Sequence, residues 1–381
     1  MNAETEMLYD CAIVGGGLAG LALSIQLAKQ NKKIILFEKE TYPFHKVCGE
    51  YIAMESWNFL ESIGVPLTEM NLPRIKKLRV SSPNGNIIEH SLNPGGFGIS
   101  RFTLDKILFD IALKNGVTVK SKTKVDDVQF TVDNFTINTF AANYTAKLVC
   151  GAFGKRSNLD VKMNRDFIAK SKNDTANYVG IKYHVKANLA DDVIELHNFK
   201  DGYCGISKVD DNRYCLCYLT SAKNLKDNDS SIERMQQNVL MKNPILKKYF
   251  TEFESLYETP LAISQINFSK KAAVENHIIM LGDAAGLITP LCGNGMSMAL
   301  HASKIASEWC VKFLNNEINR TTLEKEYALQ WHTTFNKRLT AGRIIQYFFG
   351  NQTVSNIFIS SLKPFPKIVN KLVALTHGDS F

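Results

Sequence analysis

The chain has 381 residues, 45% of them hydrophobic and 22% charged, a composition that excludes a disordered chain, a collagen-like repeat and a small disulfide-stapled scaffold. At about 150 residues per domain the length fits two to two and a half domains. A net charge of +8, from 45 basic and 37 acidic residues, is too mild over this length to point to nucleic acid, and no apolar run approaches the roughly 20 residues of a membrane-spanning helix.

The opening stretch MNAETEMLYD has no basic-then-apolar pattern, so no export signal is read there. Residues 8–14 read as a short buried strand, and Gly15-Gly16-Gly17-Leu18-Ala19-Gly20 follows at once. A helical pattern runs to Asn31, and a second strand over 33–38 closes on Glu38, 18 residues after Gly20. In this strand–turn–helix setting Gly15 permits the tight turn, Gly17 lets the backbone approach a pyrophosphate, and Gly20 lets helix and strand pack closely. The helix start offers unpaired N–H groups to phosphates. Glu38 would take the hydroxyls of an adenosine ribose and disfavour a 2′-phosphate, which leaves FAD or NAD rather than NADP; Ala19 inside the motif and Lys39 next to Glu38 are also expected to contact the cofactor.

One short loop later comes Lys46-Val47-Cys48-Gly49-Glu50, and Ser100-Arg101-Phe102-Thr103-Leu104-Asp105 opens a helix running to Asn115. Runs at 117–120, 127–132, 135–139 and 146–149 predict a third parallel strand and a meander. Further short strands are predicted at 178–185, 192–197, 202–209 and 212–219, the last a central antiparallel strand. Helical pattern returns at 230–241. A strand over 277–281 then leads into Gly282-Asp283-Ala284-Ala285-Gly286, Pro290 and Gly293-Asn294-Gly295, followed by a helix from Met296 to Phe313. Helices dominate from Thr321 onward. The eight cysteines (Cys11, Cys48, Cys150, Cys204, Cys215, Cys217, Cys292, Cys310) form no CxxC pair, so neither a metal site nor a disulfide framework is expected, and reduced thiols in a cytoplasmic protein are.

Together these segments resemble the flavoprotein oxidoreductases of the p-hydroxybenzoate hydroxylase and geranylgeranyl reductase superfamily. The resemblance implies FAD, with NADH or NADPH as a candidate electron donor. It places Asp283 of the Gly282-Asp283 pair on the ribityl chain. It also places Pro290, Gly293, Gly295 and Met296 at a helix start beneath the flavin pyrimidine, where backbone N–H groups stabilise negative charge. Lys46, Cys48 and Gly49 are similar to a K-x-C-G segment close to the flavin ring, and Cys48 is either a partner in the chemistry or a packed thiol. Arg101 stands in a segment similar to R-x-x-L/F-D and would reach the cofactor; the alternative is a surface pair with Asp105.

The chain also departs from the superfamily. Phe153 stands where hydroxylases carry an acid, which puts direct nicotinamide use in question. Gly202-Tyr203-Cys204-Gly205-Ile206 has glycine where prenyl reductases usually show tryptophan, so the pocket is expected to be shaped differently from one selecting a geranylgeranyl chain; the paired-tryptophan signature of tryptophan halogenases is missing, and halogenation is not expected. The expected fold is α/β with an α+β insert. A Rossmann-like FAD-binding domain would be assembled from 1–74, 101–160 and 272–322, and an antiparallel substrate domain from 75–100 and 161–271. A helical segment, 323–381, would follow. Residues 337–381 carry six Lys/Arg against Asp379 alone, interleaved with aromatic and aliphatic residues. That pattern fits helices covering the domain seam or a peripheral contact with the inner face of a membrane. Three functions are expected in turn: a monooxygenase on an apolar, aromatic or polyketide-like small molecule, a carbon–carbon double-bond reductase of the geranylgeranyl reductase type, and a non-catalytic flavin-binding partner protein.

Overall fold

The computed structural model describes residues 8–168, 177–350 and 352–381; the N-terminal residues 1–7, where no export signal is read, lie outside the described residues. In chain order the strands of the first half are β1 (Leu8–Val14), β2 (Ile34–Phe37), β3 (Tyr51–Ala53), β4 (Arg74–Ser81), β5 (Ile87–Gly98), β6 (Thr118–Lys120), β7 (Val125–Thr131), β8 (Asn134–Thr139) and β9 (Asn143–Gly151). Those of the second half are β10 (Tyr178–Lys186), β11 (Val193–Phe199), β12 (Gly202–Lys208), β13 (Tyr214–Ser221), β14 (Glu254–Ser255), β15 (Leu261–Ile266), β16 (Val274–Glu275) and β17 (Ile278–Met280).

They form two sheets. The first runs β16-β17-β9-β1-β2-β6, with the β7–β8 hairpin attached to β9. Its centre is parallel: β1 lies between β2 and β9, and β6 and β17 extend it in parallel. Cys11, Ala12 and Ile13 of β1 are fully buried, as expected of a central parallel strand enclosed on both faces. Helix α1 (Leu18–Lys29) packs between α3 (Arg101–Lys114) and the Gly295–Leu314 helix, while α2 (Trp57–Ile63) covers its edge. Ser100 caps α3, its Oγ accepting from the Thr103 N–H at 3.2 Å, an N-cap arrangement worth about 1 kcal/mol.

The second sheet runs β14-β10-β13-β12-β11-β4-β5-β3, with β15 also on β10. β13 is central and antiparallel to both neighbours. β3 lies within the stretch 1–74 expected to belong wholly to the cofactor portion, yet it pairs with β5 as an edge strand of this sheet. Its three residues are too few to show a periodicity, so only the pairing reveals where they sit.

The C-terminal helices close back on the parallel half. Tyr327, Trp331 and Phe335 of the Arg320–Gly350 helix are at most 2% exposed, and the Tyr327 hydroxyl donates to the Met280 carbonyl at 2.6 Å. Past the Pro366–Thr376 helix, the Gly378 N–H donates to Glu55, and Phe381 stacks on His301 with ring centroids 4.1 Å apart. These contacts place the tail beside the second glycine cluster: Asn294 Nδ2 donates to the Thr376 carbonyl at 2.7 Å.

Candidate functional site

A cavity of about 1310 Å³ lies between the two sheets. It is lined by every expected cofactor residue except Gly20: Gly15, Gly17, Ala19, Glu38, Lys39, Lys46, Cys48, Gly49, Arg101, Gly282, Asp283, Pro290, Gly293, Gly295 and Met296. Gly20 stands behind the motif, where a Cβ would sit 2.0 Å from the Gly15 carbonyl oxygen. Only a glycine there allows α1 to approach the turn. Gly15, at φ +107°, has its own closure: a Cβ would meet the Ala152 oxygen at 2.4 Å.

Gly17 differs from both. The nearest atoms to a Cβ built on it are Arg101 Nη2 and Lys46 Nζ, each at 3.8 Å. Both cations are aimed by Asp105, a fully buried carboxylate. Arg101 binds it through Nε and Nη2, both at 2.8 Å, and Lys46 approaches at 3.0 Å. Burial alone would raise the Asp105 carboxyl, but Arg101 and Lys46 outweigh it and hold it below the usual carboxylate range. The Arg101–Asp105 pair is therefore an orienting brace inside the site, not the surface pair that stood as the alternative. An open glycine at a helix start, flanked by two cations that share one carboxylate, fits a diphosphate.

Glu38, 7% exposed, caps this end. Its Oε2 accepts from Gly16 N–H at 2.9 Å and its Oε1 from Glu40 N–H at 3.0 Å, which holds the carboxylate at the cavity wall. Lys39 is exposed at the rim, 3.9 Å from Glu40.

At the other end Gly282 (φ +54°) turns the chain after β17, and Gly293 (φ +64°) turns it again before the Gly295–Leu314 helix. Among the described residues no side chain caps that helix, so its first N–H groups are available to a ligand beside Gly295 and Met296. Burial pushes the Asp283 carboxyl up, against the pull of Lys271, Arg101 and Lys155. Lys271 donates to the carbonyls of Asp283 and Lys155 at 2.7 and 2.6 Å, and burial lowers its pKa to about 8. The residues at both ends fit a flavin dinucleotide: a cradle for its diphosphate, a carboxylate for its ribose, and a helix start for the electron-rich edge of its ring.

Between the ends lies the loop of Cys48. Its thiol accepts from the Glu50 N–H at 3.5 Å, and the Cys48 carbonyl accepts from Cys215 Sγ at 3.2 Å. Burial pushes the Cys48 thiol up, with Arg101 opposing. Cys217, for which sequence reasoning assigned no role, also lines the cavity.

Glu50 closes the Lys46–Glu50 segment, and the motif itself gives it no role. It is fully buried, and its carboxylate accepts from the Arg101 N–H at 2.7 Å, Lys182 Nζ at 2.5 Å and His184 Nε2 at 2.5 Å. Lys182 and His184 alternate on one face of β10, facing Cys217 and Cys215 of β13. Two basic residues spaced by two within an apolar strand were the available signal. Glu50, His184 and Cys215 place ligand-type atoms within 4.8 Å of one another, but the Lys182 ammonium already supplies a positive charge there.

Beyond Cys48 the cavity wall turns apolar: Ile194, Leu196, Tyr203, Leu219, Ile263 and Leu291. Gly205 lies on this wall too, where a Cβ would come within 3.3 Å of the Leu196 side chain. A second polar line, Ser81–His197–Glu195, has hydrogen bonds of 2.8 and 2.9 Å. All three residues are at most 2% exposed and none lines the cavity, so the line serves the sheet and not a nucleophile.

The FAD binding domain family matches residues 8–308. The chain is 24% identical over 376 residues to conditioned medium factor receptor 1 of Dictyostelium discoideum, a match covering 91% of this chain and 72% of that one. It is 25% identical over 339 residues to digeranylgeranylglycerophospholipid reductase of Methanococcus vannielii, covering 86% and 83%. A flavin-dependent brominase superposes with a TM-score of 0.77 at 17% identity over 97% of this chain and 93% of that one, a likeness of fold. With the family matching through both glycine clusters and the cavity between them, the chain belongs to the FAD binding domain family of flavin-dependent oxidoreductases.

Proposed function

We propose that the protein reduces a carbon–carbon double bond in a long apolar substrate of prenyl type. The supporting observation is a half-buried Cys48 thiol on the cavity wall, where desolvation pushes its pKa up and keeps it protonated. Adding hydrogen across a double bond requires a hydride at one carbon and a proton at the other. FAD, when bound and reduced, supplies the hydride.

The chain's own residues do the rest. Gly17, Arg101 and Lys46 would hold the diphosphate, Glu38 the ribose and Asp283 the ribityl chain, and the helix start at Gly295 and Met296 would offer its N–H groups to the flavin. Ile194, Leu196, Leu219 and Ile263 exclude water from the second partner. Cys48 gives its proton to the substrate carbon and is left as thiolate, a role suited to a thiol that burial keeps protonated. Phe153 on the cavity wall, in the place of an acid, agrees with a donor other than a nicotinamide docked there.

The test is anaerobic. Protein loaded with FAD is photoreduced and mixed with a polyprenyl lipid. The expected result is return of the oxidised flavin band at about 450 nm together with a product carrying two more hydrogens, slowed in Cys48→Ser with FAD retained. Return only on admitting oxygen, with an oxygenated product, would instead establish a monooxygenase. No flavin band after soaking with FAD would leave a non-catalytic protein.

We further propose that the substrate arrives from an anionic membrane surface. Residues 327–378 contain no Asp or Glu. Along the Pro366–Thr376 helix Val369 and Thr376 face the protein, whereas Phe365, Ile368 and Leu375 are about half exposed, with Lys363, Lys367 and Lys371 exposed next to them. An apolar stripe bordered by lysines is complementary to an anionic bilayer. Ile359 of the preceding helix packs with Tyr203, Leu219 and Leu291, the apolar wall of the cavity, so the helical face and the pocket share one cluster. Among the described residues no helix is long and apolar enough to cross a membrane.

A further inference from the structure

The geometry points to a proton path, His45–Tyr257–His184–Glu50, that restores the Cys48 thiol after each turnover. It deepens the reductase reading, on whose proton donor it rests.

The contacts are continuous. His45 Nδ1 lies 3.1 Å from the Tyr257 hydroxyl, that hydroxyl 3.0 Å from His184 Nδ1, and His184 Nε2 2.5 Å from Glu50 Oε2. One assignment of hydrogens satisfies all three: His45 N–H donates to the Tyr257 oxygen, Tyr257 O–H to His184 Nδ1, and His184 Nε2–H to the Glu50 carboxylate. A proton taken up at the far nitrogen of His45 then moves inward by one transfer along each bond: Glu50 gains it, Tyr257 is again a phenol, and the two imidazoles are left neutral in the opposite tautomer, which must revert before the next transfer. Glu50 and Cys48 stand two residues apart, and the Cys48 thiol already accepts from the Glu50 N–H at 3.5 Å. The path requires a last hop from the Glu50 carboxyl to the Cys48 thiolate beside it.

The burial pattern suits a path. His45 and Tyr257 are partly exposed, while His184 and Glu50 are at most 1% exposed, so the chain of groups leads from the rim into the interior. The groups facing it are Lys182 of β10, Cys215 of β13, the α3 residue Arg101 and Arg213. Burial, then Lys182 and His184, lowers the pKa of His45, which favours release of a proton over its retention. Burial alone would raise the Glu50 carboxyl, but the His184 hydrogen bond and the Lys182 charge hold it low, so it too keeps a proton only in passing. A purely structural role is served more simply: a buried ion pair such as Glu50–Lys182 is often no more stabilising than apolar residues of the same volume. Tyr257 joins two imidazoles from separate parts of the chain.

The experiment compares wild type with Tyr257→Phe and His45→Gln, both loaded with FAD. The anaerobic reoxidation rate is followed against pH in H2O and D2O, with melting temperature and flavin occupancy as controls. Each variant is expected to keep its FAD and its stability. Each should lose about tenfold or more in rate, increasingly as pH rises, with a larger solvent isotope effect, and His45→Ala should regain rate on adding imidazole. Unchanged rates and isotope effects in both variants would overturn the path. If wild type shows no double-bond reduction, the reductase reading fails by itself, and the path is judged by histidine NMR titration of the apoprotein. Coupled titration of His45 and His184 that Tyr257→Phe uncouples would uphold it, and independent titration in wild type would overturn it.

Discussion

Gly17→Ser separates the fold's need for glycine from the ligand's. The backbone at Gly17, φ −83° and ψ −173°, is extended and open to any residue. The position is the N-cap of α1, where serine and glycine differ by only a few tenths of a kcal/mol. A Cβ meets nothing closer than 3.8 Å. The apoprotein should therefore stay within about 0.5 kcal/mol of wild type, a shift of about 2 °C or less in melting temperature. The added atoms point between Arg101 and Lys46, into the space assigned to the diphosphate. Losing one charge-assisted hydrogen bond there costs about 1.5–3 kcal/mol, so FAD should bind about 10- to 150-fold more weakly. Gly20→Ala is the contrast. Its Cβ would lie 2.0 Å from a backbone oxygen, and it should destabilise by about 3 kcal/mol whether or not FAD is present. Apoprotein melting and flavin-fluorescence titration read the two quantities separately. Wild-type FAD affinity in Gly17→Ser would show that the diphosphate does not approach this backbone, and an apoprotein as unstable as Gly20→Ala would show that the residue serves the fold.

Two further outcomes follow from charge. Burial lowers Lys271 from its ordinary 10.5 to about 8, so between those values the folded protein holds fewer protons than the unfolded chain, and this group's contribution to stability rises with pH. The melting temperature of wild type should therefore gain on that of Lys271→Met from pH 8 to pH 10; a constant difference would mean that Lys271 titrates normally. At the C-terminal helices each lysine near an anionic surface is worth about 1 kcal/mol. Replacing Lys363, Lys367 and Lys371 together by glutamate should cut sedimentation with phosphatidylglycerol vesicles by about 100-fold or more, with FAD retained. Equal pelleting of both proteins, or no preference over phosphatidylcholine, would remove the membrane contact.

Whatever depends on neighbours in sequence was legible before the fold. The strand–turn–helix at 8–38 and the strand–glycine–helix at 277–313 each carry their function in contiguous backbone, so spacing alone reveals the turn, the helix start and the acid. Cys48 and Arg101 were legible only as single residues. Their meaning depends on Asp105 aiming Arg101 together with Lys46, and on Glu50 reaching Lys182 and His184 across 132 and 134 residues. Strand register decides such pairings, and it is set by packing between two sheets rather than by local periodicity. The same register brings Ser81, His197 and Glu195 into a line that resembles a catalytic one and encloses it without an opening. Sequence by itself determined the dinucleotide chemistry and the class of fold, because both are written in short-range backbone geometry. Tertiary structure decided that Gly17 faces open space while Gly20 does not, and that the cavity continues into an apolar wall. It also decided that a buried carboxylate two residues from Cys48 is wired to the rim, because each of these depends on which distant surfaces meet.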